Sequence, residues 1–89
     1  MATTAAIEPG KTEDNSTPFT IEHGDYKTLS YLGSNGGYIE VQKQASDESW
    51  NSCKGGRLDI SNSPFDWRCD GTFRLHRPAQ TEVAGADFD

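Results

Sequence analysis

Bulky apolar residues alternate with polar residues in five short segments of the chain. In each segment a single polar residue separates two bulky residues. The five pairs are Phe19 and Ile21, Leu29 and Tyr31, Ile39 and Val41, Leu58 and Ile60, and Phe73 and Leu75. A period of two points one side chain inward and the next outward, as in a half-buried β-strand. The pattern therefore predicts strands in these five segments, and no segment has the period of a helix.

Residues typical of turns separate the five segments at intervals of about ten residues. Examples are the glycine-rich segment 33–37, the Asp-containing segment 46–49 and the pair Asp70 and Gly71. Short strands joined by such turns indicate an all-β fold, either a small antiparallel β-sandwich or a meander. We expect Trp50, Phe65 and Trp67 to cover its core.

The two ends of the chain lack this alternation. After Met1, residues 1–17 hold Ile7 as their only sizeable apolar residue, and residues 79–89 hold only Val83 and Phe88 as bulky apolar residues. Segments with so few apolar residues are expected to form no core of their own. The sequence thus predicts an extended N-terminal arm (1–17), a β-domain (18–78) and an acidic C-terminal tail (79–89). We expect both ends to lie on a partner, with Ile7, Pro9, Val83 and Phe88 as the contacts.

A chain of 89 residues buries only about 60% of the surface that it exposes when unfolded. The fold is therefore expected to need help from a disulfide, from oligomerisation or from both. Cys53 and Cys69 enclose fifteen residues, and a disulfide across such a loop contributes about 3 kcal/mol. Two reduced, buried thiols are the alternative that the spacing leaves open.

Eight basic residues against fourteen acidic ones give a net charge of −6. A nucleic-acid-binding protein needs clustered Lys and Arg to neutralise phosphates, so the composition argues against that class. No run approaches the roughly 18 apolar residues of a transmembrane helix. The start of the chain has neither the basic residues nor the apolar stretch of a secretory signal. We expect neither nucleic acid nor membrane as a partner.

Candidate catalytic and metal-binding residues are few. Cys53 and Cys69 with His23 and His76 would give four zinc ligands by number, but they lack the close Cys–Cys and His–His spacings of zinc sites. A cysteine with His76, or Asp66 with Asp70, lacks a recognisable third group that would orient the pair. The sequence predicts no enzyme activity, no cofactor and no metal.

The aromatic residues allow two interpretations. Five of them could form a platform on which sugars stack: Tyr26, Tyr31, Tyr38, Trp50 and Trp67. In a small β-domain, Tyr and Trp more often belong to the core and its rim.

Four segments in a fixed order resemble small accessory proteins of bacteriophage virions. They are 23–29 (HGDYKTL), 37–44 (GYIEVQKQ), 46–50 (SDESW) and 70–78 (DGTFRLHRP). In that group a GE-x-x-T-L strand precedes a G-E-Y-V-x-V-Q strand, a DG-x-x-W turn and a closing G-x-YR-x-x-K/R-P strand. The similarity lies in the spacing and covers residues 20–85. Glu48 and Ser49 stand where the group has Gly, Phe73 stands where Tyr is typical, and the cysteines are not part of the pattern.

The resemblance implies a non-enzymatic structural protein, which binds the capsid exterior as a decoration protein or anchors a head or tail fibre. Its partner would be the major capsid protein or another virion protein. Location in the virion, assembly in the bacterial cytoplasm and a homo-oligomer, with a trimer as the first guess, are further expectations. The alternative is a small secreted β-domain stapled by a disulfide, such as an effector, an inhibitor or a carbohydrate-binding module.

Overall fold

The chain forms nine β-strands in a computed structural model that describes residues 6–89. The strands are β1 (Ile7–Gly10), β2 (Asp14–Asn15), β3 (Phe19–Ile21), β4 (Lys27–Gly33), β5 (Ile39–Gln44), β6 (Trp50–Leu58), β7 (Phe65–Trp67), β8 (Gly71–Arg77) and β9 (Ala84–Phe88). No helix occurs between residues 6 and 89. The all-β fold class predicted from the alternation is confirmed.

The strands form two antiparallel sheets. Sheet I has the order β1-β9-β4-β7, and sheet II has the order β2-β8-β5-β6, with β3 also paired to β8. Among the strands of residues 6–89, β5 and β6 alone are both paired and consecutive in the sequence, because the chain crosses between the sheets at most other connections. Two sheets that share one core make a β-sandwich rather than a meander.

The inward positions of both sheets fill one apolar core. Sheet II contributes Ile39, Val41, Leu58, Phe73 and Leu75, and sheet I contributes Ile7, Leu29, Trp67, Ala84 and Ala86, all buried. Aromatic rings meet between the sheets: the Phe19 and Phe88 centroids lie 4.5 Å apart, and Trp67 meets Phe73 edge-on at 5.8 Å. The predicted alternation thus marks the inward positions correctly in four of the five segments.

The exception is the pair Leu58 and Ile60. Leu58 is fully buried, but β6 ends there and Ile60 is 54% exposed. Asp59 accepts hydrogen bonds from the backbone N–H and hydroxyl of Ser61 and so closes a turn at this point. A side-chain cap that ends the strand overrides the alternation.

The predicted arm and tail are corrected by the structure, since both ends of the described chain are strands. Ile7 of β1 lies opposite Ala86 of β9 and is 1% exposed. Strand β9 lies between β1 and β4, so the predicted tail is the inner strand of sheet I. Its inward residues are Ala84 and Ala86, whose small side chains carry a weaker apolar signal than the bulky residues of the other strands. Residues 1–5 of the predicted arm lie outside the described residues.

Arg77 closes the sandwich where β1 and β2 meet. It occupies an inward position of β8, is 4% exposed and donates hydrogen bonds to the carbonyl oxygens of Glu8, Thr12 and Ala84. Its guanidinium also lies 3.8 Å from the Asp14 carboxylate. A buried charge needs such partners, and here they are backbone groups of the N-terminal segment and of β9. One side chain thus joins both sheets to the N-terminal segment.

Within residues 6–89, no helix has the length and apolar character needed to cross a membrane.

Candidate binding surfaces

The outward side of sheet II carries a row of polar side chains with one large aromatic ring, which we call the outer face. The register places Gln42 between Ser52 of β6 and Arg74 of β8, and Gln44 opposite Trp50. Residues 41, 73 and 75 point into the core, so their neighbours in sequence point outward. The strand alternation that builds the core therefore also builds this face.

Arg74 is fixed at the centre of the outer face. Its Nε donates a 2.8 Å hydrogen bond to Oε1 of Gln42, and its guanidinium carbon lies 4.6 Å from the centre of the Trp50 ring. Stacking on an aromatic ring and a side-chain hydrogen bond restrict the same guanidinium. Within residues 6–89, no carboxylate forms an ion pair with Arg74.

Other side chains of the outer face hold one another. The Ser52 hydroxyl donates to Glu40 at 3.2 Å, and Nδ1 of His76 lies 2.6 Å from Oδ1 of Asn15. Arg57 stacks on Tyr38 at 4.3 Å and pairs with Asp59 at 2.9 Å. The face thus has two arginines stacked on aromatic rings, of which Arg57 is neutralised by a carboxylate and Arg74 is not.

A second surface lies at the end of sheet I where β4 begins, and we call it the Tyr26 end. Its members are Tyr26, Asp66, Arg68 and Phe88. Tyr26 is 45% exposed, and the Arg68 guanidinium lies 4.4 Å from its ring centre. Arg68 also pairs with Asp66 at 3.0 Å. Phe88 is half-buried, with the Lys27 ammonium 5.8 Å from its ring centre. Aromatic residues and arginine at an exposed end match the composition of protein–protein interfaces.

The predicted partner contacts lie in different environments. Ile7 is in the core of the chain itself, so its assignment to a partner is wrong, because pairing of β1 with β9 turns it inward. Phe88 packs on Phe19 and keeps part of its ring exposed at the Tyr26 end. Pro9 is exposed and Val83 is half-buried. Of the four residues, Phe88 alone belongs to one of the two surfaces.

Both cysteines are free thiols in the structure, with Cys53 half-buried beside the core and Cys69 exposed. Burial raises the pKa of the Cys53 thiol, and the negative charge that Cys69 can carry raises that pKa further. The predicted disulfide remains a prediction. An intact mass measured without reductant tests it, because the bridged chain is lighter by two hydrogen atoms.

The five aromatic residues considered as a sugar platform do not lie together. Trp67 is buried, and the Tyr31 hydroxyl donates to the carbonyl oxygens of Ser34 and Val83. Tyr26 belongs to the Tyr26 end, whereas Tyr38 and Trp50 belong to the outer face. The predicted covering role of Trp50 is also wrong, because its register with Gln44 turns it away from the core.

Two carboxylates are held ionised by local hydrogen bonds. The hydroxyl and N–H of Ser49 lower the pKa of Asp47 in the β5–β6 turn. Hydrogen bonds from Arg57 and then Ser61 lower the pKa of Asp59. Both groups accept hydrogen bonds from a serine two residues on and so cap turns.

The part of the chain that the structure describes encloses no pocket. Across residues 6–89 there is also no cluster of three or more His, Cys, Asp or Glu side chains that could hold a metal ion.

Comparisons with protein-family models, with curated proteins and with solved structures found no match to this chain.

The sequence signals for the two surfaces are weak. Arg74 follows from the alternation as an outward residue, but its contact with Trp50 joins β8 to β6 across β5 and depends on the strand order. Arg68 and Tyr26 meet because β7 pairs with β4, two strands separated by more than thirty residues in the sequence. Neither contact has a local motif that would reveal it.

Proposed function

We propose that this chain is a non-enzymatic structural protein of a bacteriophage virion, which binds the major capsid protein or another virion protein. The four segments that resemble virion accessory proteins supply the turn before β4 with the start of that strand, β5, the β5–β6 turn and β8. They are therefore parts of one framework rather than scattered matches. The acidic net charge also suits a protein that must not adsorb DNA.

The proposed docking site is the Tyr26 end, and the observation that supports it is the exposed pair Tyr26 and Arg68. An exposed Tyr with the Arg68 guanidinium over its ring gives the aromatic and arginine anchors that dominate binding energy at interfaces. Phe88, which pairs with Leu29 near the start of β4, keeps part of its ring exposed at the same end of the sheet. Strand β1 begins and β9 ends at this side of sheet I, because Ile7 pairs with Ala86 and Thr28 bonds to Asp89. Ala6, the first described residue, therefore lies at this end of sheet I.

The test begins with gradient sedimentation of a lysate from the native source. We expect the chain to comigrate with DNA-filled particles and to remain with them after a salt wash. A chain that stays at the top of the gradient as a small species would overturn the virion assignment. Its size there, measured by light scattering, would also test the predicted trimer.

The docking site is tested separately with particles that lack this chain. Purified wild-type chain should rebind them, whereas Tyr26→Ser combined with Arg68→Ser should reduce binding by about tenfold or more. Ile60→Ser is the matched control, because Ile60 is also exposed but lies beyond β6 at the other end of the sandwich. Equal loss in both variants would overturn the Tyr26 end as the contact.

Residues 2–5 give a second control. Deleting the whole predicted arm would remove β1 and β2 and so disturb the fold, whereas deleting residues 2–5 leaves every described strand intact. If this short deletion abolishes rebinding and the Tyr26 variant does not, the contact lies in the N-terminal residues instead.

A further inference from the structure

We propose that the outer face of sheet II binds an acidic sugar, with Arg74 as the group that receives its carboxylate. This inference is independent of the virion assignment, because it concerns the opposite sheet and none of the residues of the Tyr26 end.

The first observation is the state of Arg74 itself. Its Nε is hydrogen-bonded to Gln42 and its guanidinium lies over the Trp50 ring, yet within residues 6–89 no carboxylate pairs with it. A guanidinium offers five N–H donors in a planar fork that fits a carboxylate in bidentate fashion. The contacts with Gln42 and Trp50 fix its position without neutralising its charge, so little ordering is needed when a ligand binds.

The second observation is the chemistry around Arg74. Trp50 supplies an apolar ring, and the neighbouring outward residues Gln42, Gln44 and Thr72 supply neutral amide and hydroxyl groups. The Ser52 hydroxyl of the same face is already donated to Glu40. Sugar rings present apolar C–H faces and hydroxyl groups, which match an aromatic ring surrounded by amides and hydroxyls. Adding a carboxylate to the sugar provides the partner that Arg74 lacks.

The third observation comes from the other stacked arginine of the same face. Arg57 lies on Tyr38 as Arg74 lies on Trp50, but Asp59 already occupies its guanidinium at 2.9 Å. A carboxylate ligand would meet the negative charge of Asp59 there, whereas the Nε of Arg74 is hydrogen-bonded to the neutral side chain of Gln42. The two arginines thus differ in whether a carboxylate of the chain itself neutralises the guanidinium, and the proposal depends on this difference.

The experiment titrates the full chain with two acidic sugars, a four-residue oligogalacturonate and sialyllactose. The neutral counterparts are the methyl-esterified oligogalacturonate and lactose. Binding is followed through the two indole N–H signals in a proton–nitrogen correlation spectrum. We expect the Trp50 signal to move with at least one acidic sugar, while the signal of the buried Trp67 stays in place and reports an intact core.

Two variants assign the contact. Arg74→Gln should weaken binding of the acidic sugar by about tenfold or more, as expected for loss of a charge-assisted pair. Arg57→Gln removes a charge from the same face and should leave the affinity within about twofold. An unchanged Trp67 signal in each variant shows that the fold is retained.

Three results would overturn the proposal. The first is no movement of the Trp50 signal with either acidic sugar up to about 10 mM, which is weaker than any useful affinity. The second is equal binding of the neutral counterparts, or equal loss in both arginine variants. The third is equally tight, Arg74-dependent binding of an oligoglutamate peptide, which would make the face a contact for acidic proteins instead.

Discussion

Tyr31 shows how a single hydroxyl group organises a turn. The hydroxyl donates to the carbonyl oxygens of Ser34 and Val83 at 2.7 and 3.0 Å, and so ties the β4–β5 turn to the residue before β9. A Cβ atom at Gly33 or Gly37 would overlap this hydroxyl, so the two glycines leave the space that it fills. The glycine-rich segment 33–37 is therefore a packing feature rather than a flexible linker.

The Tyr31 hydroxyl should also make the free energy of unfolding depend on pH in the alkaline range. Burial, and then the charges of Asp59 and Glu82, raise the pKa of Tyr31. The folded state therefore holds the proton more tightly than the unfolded state, and the free energy of unfolding should fall as the pH rises above 10. Tyr31→Phe should cost about 1 kcal/mol at pH 7 and remove this part of the alkaline loss.

Urea unfolding at pH 7 and above pH 10 measures both effects. Tyr26→Phe is the control, since that ring is exposed and the change should stay within about 0.5 kcal/mol. If Tyr31→Phe left the alkaline loss as large as in the wild-type chain, Tyr31 would not be its source.

The two cysteines should differ in reactivity. The thiolate is the reactive form, and burial raises the pKa of Cys53 whereas Cys69 is exposed. After reduction and at pH 8, iodoacetamide should therefore label Cys69 before Cys53 in the folded protein. Mass spectrometry of the peptides measures the order, and the difference should disappear in denaturant. Faster labelling of Cys53 would contradict its position beside the core.

At the scale of the strands, β1 and β9 approach unusually closely. A Cβ at Gly85 would lie 2.7 Å from the Ile7 carbonyl oxygen and 2.8 Å from the Pro9 nitrogen. The register between β1 and β9 shifts at this point, so β1 passes directly over Gly85. Only a residue without a side chain allows the predicted tail to become an inner strand.

Gly85→Ala should therefore push β1 away from β9 and lower the free energy of unfolding by about 2 kcal/mol, as overpacking typically does. Urea unfolding measures the loss, and hydrogen exchange of the Ala84 and Ala86 amides should become faster. Glu8→Ala, at an exposed position of the same strand, should stay within about 0.5 kcal/mol. Equal stability of the two variants would show that β1 can move without cost.

At the scale of the whole molecule, Arg77 joins the two sheets. Arg77→Met keeps much of the volume but leaves the carbonyl oxygens of Glu8, Thr12 and Ala84 without this donor. Buried acceptors that lose their partner are costly, so the free energy of unfolding should fall by about 3 kcal/mol.

Arg57→Met provides the comparison, because its side chain is 58% exposed and its ion pair with Asp59 is screened by water. We expect a change of about 1 kcal/mol or less in this variant. Thermal and urea unfolding measure both. Equal effects would mean that Arg77 does not close the sandwich.

The sequence predicts those parts of the fold whose signal lies in neighbouring residues, and it misses contacts between distant segments. Alternating bulky residues such as Ile39 and Val41 identify strands because the signal is local. Strand β1 has one large apolar residue, Ile7, and the inward residues of β9 are the small Ala84 and Ala86. Neither strand therefore shows the alternation, and each becomes part of the core by pairing with the other. The contacts of Arg74 with Trp50 and of Arg68 with Tyr26 depend on the strand order, which no local pattern contains. At Glu48 the sequence does contain a local signal, because this residue stands where the turn motif has Gly. Its φ of 69° is a conformation that glycine favours.

The strand order has a consequence for the way in which the protein is made. Of the nine described strands, β8 and β9 are synthesised after the other seven, yet β8 pairs with β2, β3 and β5, and β9 pairs with β1 and β4. Before Gly71 leaves the ribosome, the nascent chain can form only the β5–β6 and β4–β7 pairs of the final structure. Folding is therefore largely postponed until synthesis has passed through β9, and a prematurely terminated product would expose strand edges without their partners.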